Sequence, residues 1–202
     1  MAERQSKQPT KRELILGSAS ELFLDNGFEG TSMDQIALSA GVSKQTVYSH
    51  FGNKEALFTA VIAAKCEAHQ LTGDLFDLER ELADVLSDLA HHFTELLLSD
   101  EAIALHRVCI AGGEKYSQIA ALFWQAGPVW MQGQLANYIE KKQQLGEFRD
   151  CEPLHAAQQF LYMLKGEAHL RKLLNLEQAN AVETQQQYRQ SCVSMFLAAY
   201  QP

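Results

Sequence analysis

Residues 31–54 read TSMDQIALSAGVSKQTVYSHFGNK, and their spacing decides the fold. Ile36, Ala37, Ala40, Val42 and Val47 are the small or apolar positions that two short crossed helices must bury against each other. Gly41 stands where the turn between them needs a residue tolerant of positive φ. Ser32, with Gln35 three residues on, is a capping-box pair for the first helix, and Ser43 is a good N-cap for the second. The exposed side of the second helix then carries Lys44, Gln45, Thr46, Tyr48, Ser49 and His50. These are hydrogen-bonding side chains in place of the Glu/Lys mixture of an ordinary solvated helix. A helix-turn-helix so furnished is built to touch a polar polymer.

Upstream, Thr10 and Glu13 form another capping-box pair, and Ile15, Ala19, Leu22 and Phe23 recur at helical spacing, which predicts a helix over 10–26. Gly27 is its expected stop, with Phe28 placed to fold back on Phe23. Residues 1–9 read as a basic arm. Downstream, Asn53 is expected to cap a helix over 54–71, with Leu57, Phe58, Val61 and Ile62 inward and Gly73 closing it. From Leu75 strand patterns are absent. Helices are expected at 77–98, 101–111, 115–126, 128–145, 153–174 and 182–200, punctuated by Ser99, Gly112-Gly113, Gly127-Pro128, Gly146, Pro153 and Asn180 with Glu183.

The run from Ile15 to Ile62 resembles the DNA-binding domain of the TetR-type transcriptional regulators. The motifs that carry the likeness are Asn26-Gly27-Phe28, Thr31-Ser32, Ile36-Ala37, Ala40-Gly41-Val42-Ser43, Thr46-Val47-Tyr48 with Phe51, and Asn53-Lys54-Glu55 with Leu57-Phe58. The segment HRVCIAGGEKYSQIAALFWQAGPVWMQGQLANYIEKKQQLGEF is similar, less specifically, to the C-terminal half of the AefR-like branch. The resemblance implies an all-α chain: a helix-turn-helix DNA-binding domain over 1–54, a connecting helix over 55–75, and a helical effector-binding and dimerisation domain over 76–202. It implies a regulator, a repressor in the first reading, that leaves a palindromic double-stranded operator when a small lipophilic ligand binds. The alternative is a DNA-bound interaction protein whose second half contacts another protein.

Bulk properties agree with that reading. The net charge of -8 is unevenly shared: residues 1–70 hold seven Lys/Arg against eight Asp/Glu, and residues 71–202 hold ten against seventeen. The acid is kept away from the expected DNA surface. The polar, basic N-terminus has no apolar segment behind it, and no apolar run exceeds six residues, so a cytoplasmic chain with no membrane partner is expected. Cys66, Cys109, Cys151 and Cys192 lack zinc-like spacing and read as small buried hydrophobes. GxSxG, HExxH, Walker and dinucleotide patterns are missing, so neither an enzyme nor a cofactor or metal is expected.

Phosphate contacts fix register and base-edge contacts read sequence. By the family's pattern Tyr48, His50 and Thr46 would meet phosphate oxygens, with Thr31, Ser32 and Ser43 at helix starts serving similarly. Lys54, in the first turn of its helix, adds an ammonium to free backbone N–H groups, a natural phosphate site. Lys44 and Gln45 are the candidates for the major-groove floor, the first addressing guanine and the second adenine. One such unit grips too few base pairs, so a two-fold dimer is expected. Its candidate interface is Phe160, Met163, Leu164, Leu170, Val193, Phe196, Leu197 and Tyr200. Effector contacts are expected from Phe93, Leu97, His106, Cys109, Phe123, Trp124, Trp130, Met131, Gln134 and Tyr138, near a Gly127-Pro128 break where helices would splay.

Overall fold

The computed structural model describes residues 8–112, 117–176 and 182–202, and among them it is all helical. The helices are α1 (Lys11–Asn26), α2 (Met33–Ser39), α3 (Lys44–Phe51), α4 (Lys54–Ala68), α5 (Leu82–Leu97), α6 (Asp100–Gly112), α7 (Ser117–Trp124), α8 (Trp130–Gln144), α9 (Pro153–Leu173) and α10 (Val182–Tyr200). Arg4 and Lys7 of the basic arm, Gly113 and Asn180 lie outside the described residues. The chain divides into two compact units between Ala64 and Lys65.

In the first unit the expected caps are all made. The Thr10 side chain accepts from the Glu13 N–H while the Glu13 carboxylate accepts from the Thr10 N–H, and Ser32 and Gln35 repeat the exchange. The core is Ile15, Ala19, Phe23, Phe28, Ile36, Ala37, Val47, Leu57 and Phe58. Phe23, Phe28 and Phe58 form a triad: Phe28 stacks on Phe23 at 5.5 Å, and Phe58 meets both edge-on at 5.4 and 5.3 Å. Each such pair contributes about 1 kcal/mol beyond its buried area, which ties the α1–α2 turn to α4.

In the second unit a large apolar core runs from Cys66 and Leu71 through Leu86, Leu89, Leu135 and Ile139 to Phe160, Leu164 and Phe196. Three expected boundaries move. Gly73 does not close α4; the helix stops at Ala68, and Gln70 takes the left-handed position at φ 57. The Leu71 N–H reaches the Cys66 carbonyl and the Gln70 N–H the Glu67 carbonyl, a Schellman stop whose apolar partners, Leu71 and Cys66, are both buried. Burial of Leu71 outweighs the cost of a non-glycine there.

Second, α5 begins at Leu82 in place of residue 77. The Lys142 ammonium, 1% exposed, donates to the Leu78 and Arg80 carbonyls at 3.0 and 3.2 Å and to Glu147 at 2.6 Å. Those carbonyls lie in a turn ahead of α5 and are held by a side chain in place of helical N–H groups. Third, Gly127-Pro128 does not break the chain. Residues Gln125–Val129 form one wide π turn, which accommodates the proline ring and its missing N–H, and α7 runs through it into α8. The expected splay of helices there is corrected.

α9 carries a feature the periodicity does not show. Gly166 sits at φ 53, ψ -167 inside the helix, and the Tyr188 hydroxyl of α10 donates to the Met163 carbonyl at 2.9 Å beside the kink. A Cβ at Gly166 would meet the Tyr188 ring at 2.9 Å.

Candidate nucleic-acid interface and ligand site

The turn between α2 and α3 is set by backbone chemistry. Gly41 is at φ 65, the Val42 N–H bonds the Ala37 carbonyl at 3.0 Å, and Ser43 then caps α3 by accepting from the Thr46 N–H at 3.1 Å. With Val47 fully buried, α3 has one apolar side spent on the core and the rest turned outward. Gln45, the Tyr48 hydroxyl and the His50 ring nitrogens are exposed and make no hydrogen bond among the described residues. Lys44 is exposed too, but its Nζ lies 2.8 Å from Asp34 of α2, whose carboxylate raises the lysine's pKa. Ser43 and Thr46 share a hydroxyl pair at 2.8 Å, and Ser49 donates back to the Thr46 carbonyl.

Two of the expected phosphate contacts are otherwise employed. The Thr31 side chain is buried, and its hydroxyl lies 2.9 and 2.8 Å from the Leu22 and Gly27 carbonyls, so it anchors the end of α1. Lys54 donates to the Phe28 carbonyl at 2.8 Å and the Thr31 carbonyl at 3.1 Å and lies over the Phe28 ring at 4.3 Å. Its ammonium fastens α4 to the α1–α2 turn. The caps Ser32 and Ser43 accept from backbone N–H groups; Ser32 keeps its hydroxyl donor at the surface, and the Ser43–Thr46 hydroxyl pair has one donor left over.

In the second unit the expected effector residues separate. Leu97, Met131 and Tyr138 are buried in the apolar core, and Phe93 and Trp130 pack against it. Trp124 is exposed, and Gln134 and Cys109 are half-buried; burial pushes the Cys109 thiol up to about 11. His106 and Phe123 do meet, edge to face at 4.9 Å. The residues that complete this cluster come from α9: the His169 ring lies 5.1 Å from His106, and the Lys165 ammonium is near enough to act on both. The His106 Nδ1 is 2.7 Å from the Ala102 carbonyl and so carries its proton, while His169 Nε2 is buried without a partner. Burial lowers the pKa of His106 and Lys165, and burial reinforced by both neighbours pushes His169 down to about 4.

The second unit's sequence matches the model of the AefR-like transcriptional repressor C-terminal domain over residues 84–202, and residues 15–61 match that of the tetR family of bacterial regulatory proteins. The chain belongs to the TetR family. It is similar to the repressor ComR of Escherichia coli K12, 38% identical over 90 residues, which is 41% of this chain and 42% of ComR. The chain spans about half the length of the curated relatives it matches. Among solved structures it is similar to a flavonoid-responsive regulator, FrrA, at 33% identity and TM-score 0.73, covering 95% of this chain and 97% of that one. A TetR-family regulator of Mesorhizobium loti MAFF303099 matches at 26% identity and TM-score 0.75, covering 95% and 97%.

As a TetR-family regulator the chain has its DNA-reading motif on α2 and α3. Its residues expected at a dimer interface divide by burial. Phe160, Leu164, Val193 and Phe196 are buried within the protomer, where Phe196 packs on Phe160 at 4.7 Å and on Tyr200 at 4.8 Å. That packing removes the four from any partner's reach. Met163, Leu197 and Tyr200 are half-buried against the same core, and Leu170 is exposed, with Leu154, Tyr162, Leu174, Tyr188 and Met195 as further exposed apolar side chains of α9, its end and α10. The periodicity of α9 missed His169 and Lys165 as site residues because both stand in a stretch read as apolar packing. The available signal was a histidine between Ala168 and Leu170, a titratable ring where the helix otherwise buries carbon.

No group of three His, Cys, Asp or Glu side chains among the described residues could hold a metal ion. No helix among them is long and apolar enough to cross a membrane.

Proposed function

We propose that this TetR-family protein is a cytoplasmic repressor that binds a palindromic double-stranded operator as a homodimer and is released by a small lipophilic ligand. The observation that carries the DNA reading is the state of α3: its apolar side is committed to the core, while Gln45, Tyr48 and His50 keep their polar groups unspent. Gln45, in the first turn, reads a base edge, and Tyr48 and His50 meet phosphates with the Ser32, Ser43 and Thr46 hydroxyls. Lys44 joins them by exchanging Asp34 for the operator. The exposed apolar side chains of α9 and α10 supply the surface for a second copy, which a dimer reading two half-sites requires. FrrA, 33% identical along nearly the whole chain, is flavonoid-responsive by name, which supports a small organic effector here. α4 is the mechanical link: it begins at Lys54 beside the DNA-reading motif and ends at Ala68 in the effector-binding unit.

Selection of binding sites from a random DNA pool, followed by affinity measurement across salt concentrations, tests the reading. A palindrome bound with a steep salt slope is expected. No enrichment would overturn the operator reading and favour a second half that contacts another protein.

A further inference from the structure

The cluster of His106, Phe123, Lys165 and His169 is not explained as packing. A buried polar atom without a hydrogen bond is costly, and proteins seldom leave one unless something else completes it. His169 is 8% exposed and its Nε2 has no partner. Beside it, the His106 proton on Nδ1 is spent on Ala102, so its Nε2 presents a lone pair. One ring needs a bond, and its neighbour offers an acceptor 5.1 Å away between ring centres. Phe123 meets His106 edge-on, so the surroundings are flat and aromatic. Lys165 brings positive charge: its Nζ lies over the Tyr162 ring at 4.4 Å, and no carboxylate of the described residues pairs with it. The other charged groups of this region are engaged elsewhere: Arg107 on the Leu173 carbonyl, Glu167 with Arg171, and Arg189 near the Thr94 hydroxyl. Directly after Phe123 and Trp124 comes the π turn Gln125–Val129, a local irregularity of the kind found at functional sites.

We propose that this cluster recognises the acidic hydroxyl of a phenolic effector, which donates to His106 Nε2, accepts from His169 Nε2–H and is favoured by the Lys165 charge. A phenol fits because a single oxygen is both donor and acceptor and its ring suits the aromatic walls. A simple hydrocarbon would leave His169 unsatisfied. The inference rests on the effector-released regulator reading and names the ligand class of that site.

The test compares 2,4-dichlorophenol with 2,4-dichloroanisole, its methyl ether, by titration calorimetry on the full chain. The two share an apolar body, but only the phenol can donate. The phenol is expected to bind at least about tenfold more tightly, a difference worth one good hydrogen bond in a buried site. In His169→Phe and His106→Phe the preference is expected to vanish while the ether's affinity holds. Equal binding of phenol and ether by the unaltered chain, or binding of neither up to their solubility, overturns the proposal even if the variants fail to fold. The selected operator is titrated in parallel. A chain that holds its operator yet shows no phenol preference sinks the ligand class and leaves the regulator standing; phenol preference without operator binding does the reverse.

Discussion

The Lys44 ammonium, at the first position of the recognition helix α3, lies 2.8 Å from the Asp34 carboxylate of α2. Both side chains are more than half exposed, so water screens the pair and its worth to the fold is small. Its consequence is for DNA. On the proposed operator reading, the groove would have to displace Asp34 to engage Lys44, and the Asp34 charge would oppose nearby phosphates. Asp34→Asn is therefore expected to tighten operator binding by about threefold and to steepen its salt dependence. A binding isotherm that weakens would mean that Asp34 positions Lys44 productively.

Lys54 is expected to matter for stability more than for the operator. Lys54→Met removes two donors from the Phe28 and Thr31 carbonyls and a cation from the Phe28 ring, at a cost of about 2 kcal/mol in denaturant unfolding. The salt slope of DNA binding should stay within measurement error of the unaltered chain. A slope lowered by about one would return Lys54 to the phosphate contacts.

Gln45→Ala should leave non-specific affinity intact and relax base preference at one position of each half-site, by about 1–3 kcal/mol of discrimination. Site selection repeated with the variant measures this, and an unaltered consensus removes Gln45 from base reading.

Acid sensitivity follows from the histidine pair. His169 has its folded pKa pushed from 6.5 to about 4, and His106 shifts in the same direction. Below pH 6.5 the unfolded chain takes up protons that the folded chain refuses, so stability is full above that pH and falls as pH drops toward 4. Each refused proton contributes a slope of about 1.4 kcal/mol per pH unit. Unfolding free energies between pH 7 and 4.5 should show this fall, and His169→Phe should flatten it; an unchanged slope in the variant would mean other groups dominate.

Gly166→Ala places a Cβ against the Tyr188 ring and a side chain at φ 53, so a loss of about 1–2 kcal/mol is expected from thermal or denaturant unfolding. Neutral or stabilising behaviour would show that the kink in α9 relaxes into regular helix at no cost.

Local chemistry made the DNA-reading motif legible before any coordinates. Its caps, its Gly41 turn and its one-sided apolar pattern are each satisfied within a few residues, so the sequence of α2 and α3 determined their form and their outward face. The stop of α4 ahead of Gln70 and the start of α5 at Leu82 were not legible, because distant side chains decide them: Leu71 is drawn into a core, and Lys142 holds the Leu78 and Arg80 carbonyls. Likewise Thr31 and Lys54 read from sequence as surface contacts and become internal fasteners once α1, α2 and α4 meet. Apolar residues of α9 and α10 could not be divided between core and partner by periodicity, since a protomer and a dimer bury the same kinds of side chain. By itself the sequence determined the family, the all-α fold and the polar groups α3 presents. Only tertiary structure brought His106, Phe123, Lys165 and His169 together, because a site assembled from α6, α7 and α9, the last more than forty residues beyond Phe123, has no period in the chain to announce it.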